Sequence, residues 1–165
     1  MKSLIFFSTL ALVLFFSGCV SSTLNKVRYQ SVSVDQATIL QSGKDKESCA
    51  ICGMHLPTFY KTNHVGDTKD GVKQYCSLHC VVKDNEFNKT DLTNLRVVDT
   101  KSLKFIPVLK AFYVVGSSKK GTMSRVSKYA FAKKEDADNF AKEFGGKVMK
   151  FYDAYDEATK DFTKR

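Results

Sequence analysis

Cys49-Ala50-Ile51-Cys52-Gly53-Met54-His55 packs two thiols, a thioether and an imidazole into a single short stretch. Downstream, Tyr75-Cys76-Ser77-Leu78-His79-Cys80 supplies a second pair of thiols. For the pairs to meet, the chain between them must double back. Its residues allow this: 58–65 read as a strand, the Gly66-to-Gly71 segment as a turn and 72–75 as a second strand. That hairpin delivers Cys76 beside the first pair. Gly53, directly after Cys52, permits the positive φ of a knuckle-type turn. From Ser77 the pattern predicts a helix with Ser77 as its cap, which sets Cys76 and Cys80 one turn apart. Residues 95–99 close the unit as another strand.

The second half replays this order. Residues 111–115 form an apolar strand, 116–122 a Gly/Ser/Lys loop and 129–132 a second strand. Ala137, Phe140, Ala141 and Phe144 then fall at helical spacing, and Gly145-Gly146 stops the helix. Residues 147–151 return as a strand in which Met149 faces a core. The expected fold is therefore α+β, two similar small ββαβ units at 44–101 and 102–152. Residues 19–43 read as a tether with at most one short strand, 153–165 as a charged tail that frays or stays unstructured, and His64 as a strand-surface residue.

Ahead of these units, Lys2, an apolar run through Phe16 and the small pair Ser17-Gly18 before Cys19 read as an export signal at 1–18. The run is short of the roughly 20 apolar residues that a membrane span needs. The formal charge of +9 falls by one when Lys2 is removed. A basic exported protein meets anionic lipid and acidic proteins, and no nucleic-acid module is visible. The length suits one domain or two small ones.

Of the five cysteines, Cys49, Cys52, Cys76 and Cys80 form the two tight pairs. Disulfides are the plain reading in an oxidising compartment. The ligand-like spacing and the neighbouring Met and His point instead to a metal. Four thiolates can close around Zn(II). Zinc leaves the methionines unexplained, since a thioether is a poor ligand for Zn(II) and a good one for Cu(I), so Met54 beside Cys52, with Met123 far downstream, favours copper. His55 and His79 adjoin thiols and are auxiliary candidates. A haem motif would need His directly after Cys52, and no acid or oxyanion-hole pattern supports a Cys-His hydrolase. The chain reads as a binding protein, not an enzyme.

These residues resemble the NosL-type copper chaperones, periplasmic lipoproteins associated with assembly of the copper centres of nitrous-oxide reductase. The resemblance runs through Cys49-x-x-Cys52-Gly53-Met54, Gly71 to Tyr75-Cys76-Ser77, Val97-Val98-Asp99, Ala111-x-Tyr113-Val114-x-Gly116-Ser117, Thr122-Met123, Ala130-Phe131-Ala132, Ala137, Phe140 and Gly145-Gly146. It implies two ββαβ units, Cu(I) held by Cys52, Met54 and Met123 across both halves, and nitrous-oxide reductase or its assembly transporter as partner. Phe16-Ser17-Gly18-Cys19 similarly resembles a lipobox. By that resemblance Cys19 is acylated and holds the protein at the periplasmic side of the envelope, with Val20 pointing to the outer membrane. Two features depart from the family pattern: Asp99-Thr100-Lys101 with Phe105, and Cys80. Tyr75-Cys76-x-x-x-Cys80 also resembles small treble-clef metal modules, which keeps open a Zn(II)-stabilised binding module without copper transfer, a four-thiol site, a second metal or a disulfide.

Overall fold

In the computed structural model, which describes residues 28–163, each half of the chain runs strand, strand, helix, strand. The expected signal peptide at 1–18 and the acylated Cys19 lie outside the described residues. In the first half, β1 (His64–Thr68) turns through Lys69-Asp70 into β2 (Gly71–Tyr75), pairing His64 with Tyr75 and Thr68 with Gly71. Helix α1 (Leu78–Val82) follows at once, runs on as a π-helical turn over Lys83–Phe87, and leads to β3 (Thr93–Val98), which returns beside β1. In the second half, β5 (Phe112–Val115) and β6 (Lys128–Phe131) are antiparallel neighbours. Helix α2 (Lys134–Phe144) crosses over them and β7 (Lys147–Met149) pairs with the free side of β5. The strand orders β2-β1-β3 and β6-β5-β7 are the same arrangement twice, and β4 (Phe105–Pro107) extends the first sheet beyond β3.

Side-chain alternation explains how the halves stack, because neighbouring residues on a strand face opposite sides. On β5 and β6, Val114, Tyr129 and Phe131 pack against Ala137 and Phe140 of α2. Tyr113, Val115 and Ala130 face the other way, into a cluster with Leu56, Tyr75, Val81 and Val97 of the first half. The second sheet is thus buried on both faces, which suits its run of apolar residues. Burial of each such Val or Phe side chain contributes about 1.5–3 kcal/mol. A parallel bridge between Asp99 and Ala130 and the Thr100 N–H bond to the Ala130 carbonyl, 2.8 Å, join the two sheets directly.

Four local readings are corrected. Residues 57–62 form a 3-10 helix instead of a strand, because Pro57 starts the turn, and the strand begins only at His64. Ser77 occupies the N-cap position of α1, but its side chain makes no capping bond. The described part of the tether is docked: Tyr29 packs edge-on to Tyr129 at 5.4 Å, Gln30 is buried and donates to the Lys120 carbonyl at 2.7 Å, and its one regular turn is a 3-10 helix, Val34–Gln36. The tail begins with helix α3 (Phe151–Thr159), whose Phe151, Ala154 and Ala158 join the main core, and a 3-10 turn at Lys160–Phe162 follows. Met149 is half-buried against the same core, on the face its strand pattern predicts.

His64 is not on the surface: it is 1% exposed. Its ring links the halves, with Nδ1 3.0 Å from the Thr62 carbonyl and Nε2 3.2 Å from the Tyr113 hydroxyl. A carbonyl only accepts, so Nδ1 carries a proton, and in the neutral ring Nε2 accepts from the Tyr113 hydroxyl. Burial pushes its pKa down to about 4. The folded chain therefore binds fewer protons here than the unfolded chain. The stabilisation is complete above pH of about 6.5 and is lost as pH falls toward 4, by at most about 3 kcal/mol. Urea denaturation across that window should show the loss, and His64→Gln should flatten it. An unchanged pH profile in the variant would place the titration elsewhere.

Candidate metal centre

The first thiol pair is shaped by its own backbone. Gly53 N–H bonds to the Cys49 carbonyl at 3.0 Å, and Cys49 N–H bonds to the Met54 carbonyl at 2.8 Å. Ser48 and His55 form an antiparallel bridge across the base of this turn. The turn needs φ of +73° at Gly53, a conformation that any side chain would strain. The knuckle is then fastened to β2 by the Ala50 N–H bond to the Gln74 carbonyl, 3.0 Å. Cys76 follows two residues later and Cys80 sits in the first turn of α1.

Together these elements gather Cys49, Cys52, Cys76 and Cys80, with all four Sγ atoms within 4.8 Å of one another. Cys52 to Cys76 is 3.5 Å, Cys76 to Cys80 3.7 Å and Cys80 to Cys52 3.7 Å. A disulfide holds its sulfurs about 2.0 Å apart, and all four cysteines are free. Three of the thiols are buried, and Cys52 is partly exposed.

Four thiols this close cannot all ionise without a cation, because like charges oppose each other at short range. The cluster settles this unevenly. Hydrogen bonds from the Cys76 and Cys80 thiols, and then from the Ile51 and Cys76 amides, hold the Cys49 thiol far below its usual range. The same bonds to Cys49, with burial, push Cys76 and Cys80 well above theirs. Metal binding would displace the thiol protons and remove this conflict.

Met54 leaves the knuckle two residues after Cys52 and packs, half-buried, against the core cluster that contains the thiols. Met123 is 41% exposed and adopts a left-handed φ of +58°. Its neighbours fix its place. Thr62 Oγ1 lies 2.7 Å from the Cys76 carbonyl and 2.9 Å from Thr122 Oγ1. On the other side, Ser124 Oγ donates to Asp161 at 2.9 Å, and Asp161 also accepts from His79 Nδ1 at 3.3 Å. Burial opposes ionisation of Asp161, but His79, Lys128 and Ser124 together hold its carboxyl below the usual range. The Met123 loop is thus tied by one flank to the backbone of Cys76 and by the other, through Asp161, to the side chain beside Cys80.

Neither histidine joins the thiol group. His55 is exposed, with Nδ1 2.9 Å from Thr58 Oγ1 and Nε2 3.5 Å from Glu47. His79 stacks on Phe162 at 4.3 Å besides its bond to Asp161. Thr62, Thr122, Gln30 and Asp161 carry no sequence motif as loop-fixing residues. The docked tail did have a signal: Phe151, Ala154, Tyr155, Ala158 and Phe162 recur at helical spacing.

A family model described as NosL matches residues 41–159. The copper-binding lipoprotein NosL of Stutzerimonas stutzeri is 29% identical over 117 residues, which cover 65% of this chain and 61% of that protein. The crystal structure of the copper chaperone NosL from Shewanella denitrificans superimposes with a TM-score of 0.55 and 25% identity, over 68% of this chain and 92% of that one.

Burial orders the thiols by access. In reduced, metal-free protein, a maleimide pulse followed by peptide mass spectrometry should label Cys52 first, at least about tenfold ahead of Cys76 and Cys80, because the reagent must reach the sulfur and only Cys52 is partly exposed. Equal labelling of all four would show that the cluster is not packed as described.

Proposed function

This chain belongs to the NosL family, and we propose that it carries Cu(I) and delivers it for assembly of the copper centres of nitrous-oxide reductase, directly or through the reductase's assembly transporter. The observation that supports this most is the placing of soft donors at the edge of a buried thiol group. Cys52 is its partly exposed member, and Met54 stands two residues away on the same turn. Copper is cargo in this reading. A carrier needs donors that hold a soft ion yet surrender it by ligand exchange, and thioethers beside a thiolate meet both needs.

Met123 would complete the set from the second half. A non-glycine residue with positive φ costs of order 1–3 kcal/mol and persists only where its surroundings impose it. Here the Thr122 and Ser124 bonds impose it, and the side chain is left accessible at the surface. A pinned, exposed methionine suits the closing and opening ligand of a transfer site. The relatives' names, copper-binding lipoprotein and copper chaperone, agree with a non-enzymatic role. In this proposal the chain works at the periplasmic side of the envelope, held by lipid on Cys19 and sorted to the outer membrane.

Met123→Leu preserves apolar volume and should cost less than about 1.5 kcal/mol of fold stability. It should nonetheless weaken Cu(I) in competition titrations with a chromophoric Cu(I) chelator, by roughly 10-fold or more, the equivalent of about 1.4 kcal/mol. In a copper-limited host that respires nitrous oxide, the same variant should leave the reductase under-loaded, with partial rescue by added copper. Unchanged Cu(I) affinity would remove Met123 from the site, and full reductase loading in a copper-starved deletion strain would remove the client.

A further inference from the structure

Copper carriage accounts for Cys52, Met54 and Met123, but it has no use for the three buried thiols. Cys49, Cys76 and Cys80 are 3%, 0% and 0% exposed, positions from which exchange with a recipient is blocked. We propose that Cys49, Cys52, Cys76 and Cys80 form a closed four-thiolate site for one resident Zn(II) ion, separate in role from the transferable copper and sharing only Cys52 with it. The zinc site stands on the thiol geometry alone; only the sharing of Cys52 rests on the copper reading.

Geometry carries the proposal. Four sulfurs placed 2.3 Å from a central zinc ion form a tetrahedron with edges of about 3.8 Å. Three of the edges here measure 3.5, 3.7 and 3.7 Å. The remaining edges reach at most 4.8 Å, so closing on an ion asks only for a small inward movement of Cys49. Clusters of two or four irons need thiolates spread over separate metal atoms, and these sulfurs converge on one point. Tetrahedral S4 coordination suits Zn(II), a dication without redox chemistry or geometric demands of its own. Monovalent Cu(I) is satisfied by two or three thiolates, and a fourth would add only repulsion.

The surroundings are those of a permanent site. One ion would tie the knuckle, the end of β2 and the first turn of α1 together, three elements whose thiols otherwise repel once ionised. Cys52 is the exposed vertex. A thiolate bound to one ion keeps lone pairs, so Cys52 can donate to zinc within and to Cu(I) beside Met54 without leaving either.

The test uses the reduced, metal-free full chain under nitrogen. Titration should show one Zn(II) bound per chain, and Co(II) as a probe should give the absorption of a tetrahedral four-sulfur site in the unmutated protein. Cys49→Ser and Cys80→Ser should each weaken Zn(II) beyond the roughly 10–100-fold that outer-shell changes cost, whereas Met54→Leu and Met123→Leu should bind Zn(II) as the parent does. One equivalent of Cu(I) added to the zinc form should leave zinc in place. Two disulfides with no metal in protein isolated from its own compartment, Fe(II) in place of zinc there, a Co(II) spectrum without four sulfurs, or stoichiometric release of zinc by one Cu(I) would each overturn the resident site. Loss of Cu(I) binding alone in the methionine variants leaves it standing, and normal Cu(I) binding in them counts only against the copper ligand set.

Discussion

The hydrogen bonds around Gln74 fasten the cysteine knuckle to the first sheet. β2 is an edge strand, and an uncovered edge leaves backbone groups unpaired. At Gln74 that edge is closed: its N–H goes to Gln41 Oε1 at 2.8 Å, and its carbonyl accepts from Ala50 at 3.0 Å. The side chain is equally occupied, accepting from Leu40 N–H at 2.9 Å and donating to Thr38 O and Asn63 Oδ1. The residue is fully buried, so each unmade bond would cost about 1–3 kcal/mol. This knot seats the knuckle on β2, and the seating sets the distance from Cys49 and Cys52 to Cys76.

From that point the second half has two functions. Its sheet forms the middle layer of the molecule, so the core that supports the thiols is built from both halves. It also carries the loop that presents Met123. That loop is held from three directions: by Gln30 from the N-terminal segment, by Thr62 from the segment before β1, and by Asp161 from the C-terminal turn. In the proposed roles, the buried sulfurs of Cys49, Cys76 and Cys80 retain their ion, while Cys52 and Met54 on the same knuckle exchange theirs.

Much of this was legible in the sequence, because its signals are local. The repeat shows in the apolar runs of β5 and β6 and in the apolar stripe of α2, and the knuckle shows in Gly53 after Cys-x-x-Cys. The features that escaped depend on partners far along the chain. His64 looks like a surface residue until Tyr113 of the other half lies over it. Residues 28–43 look like a tether because Gln30 and Leu40 find their partners 90 and 34 residues away. β4 is three residues long and ends in Pro107, too brief for a period to show. The left-handed turn at Met123 has no glycine to announce it.

In the proposed arrangement one fold holds a closed thiolate cage with a soft, exposed edge. Anomalous diffraction at the zinc and copper edges, from crystals of protein loaded first with Zn(II) and then with one equivalent of Cu(I), tests it most directly. The expected result is a zinc peak equidistant from the four cysteine sulfurs and a separate copper peak against Cys52, Met54 and Met123. A single copper peak at the centre of the four sulfurs, with no zinc, would contradict it.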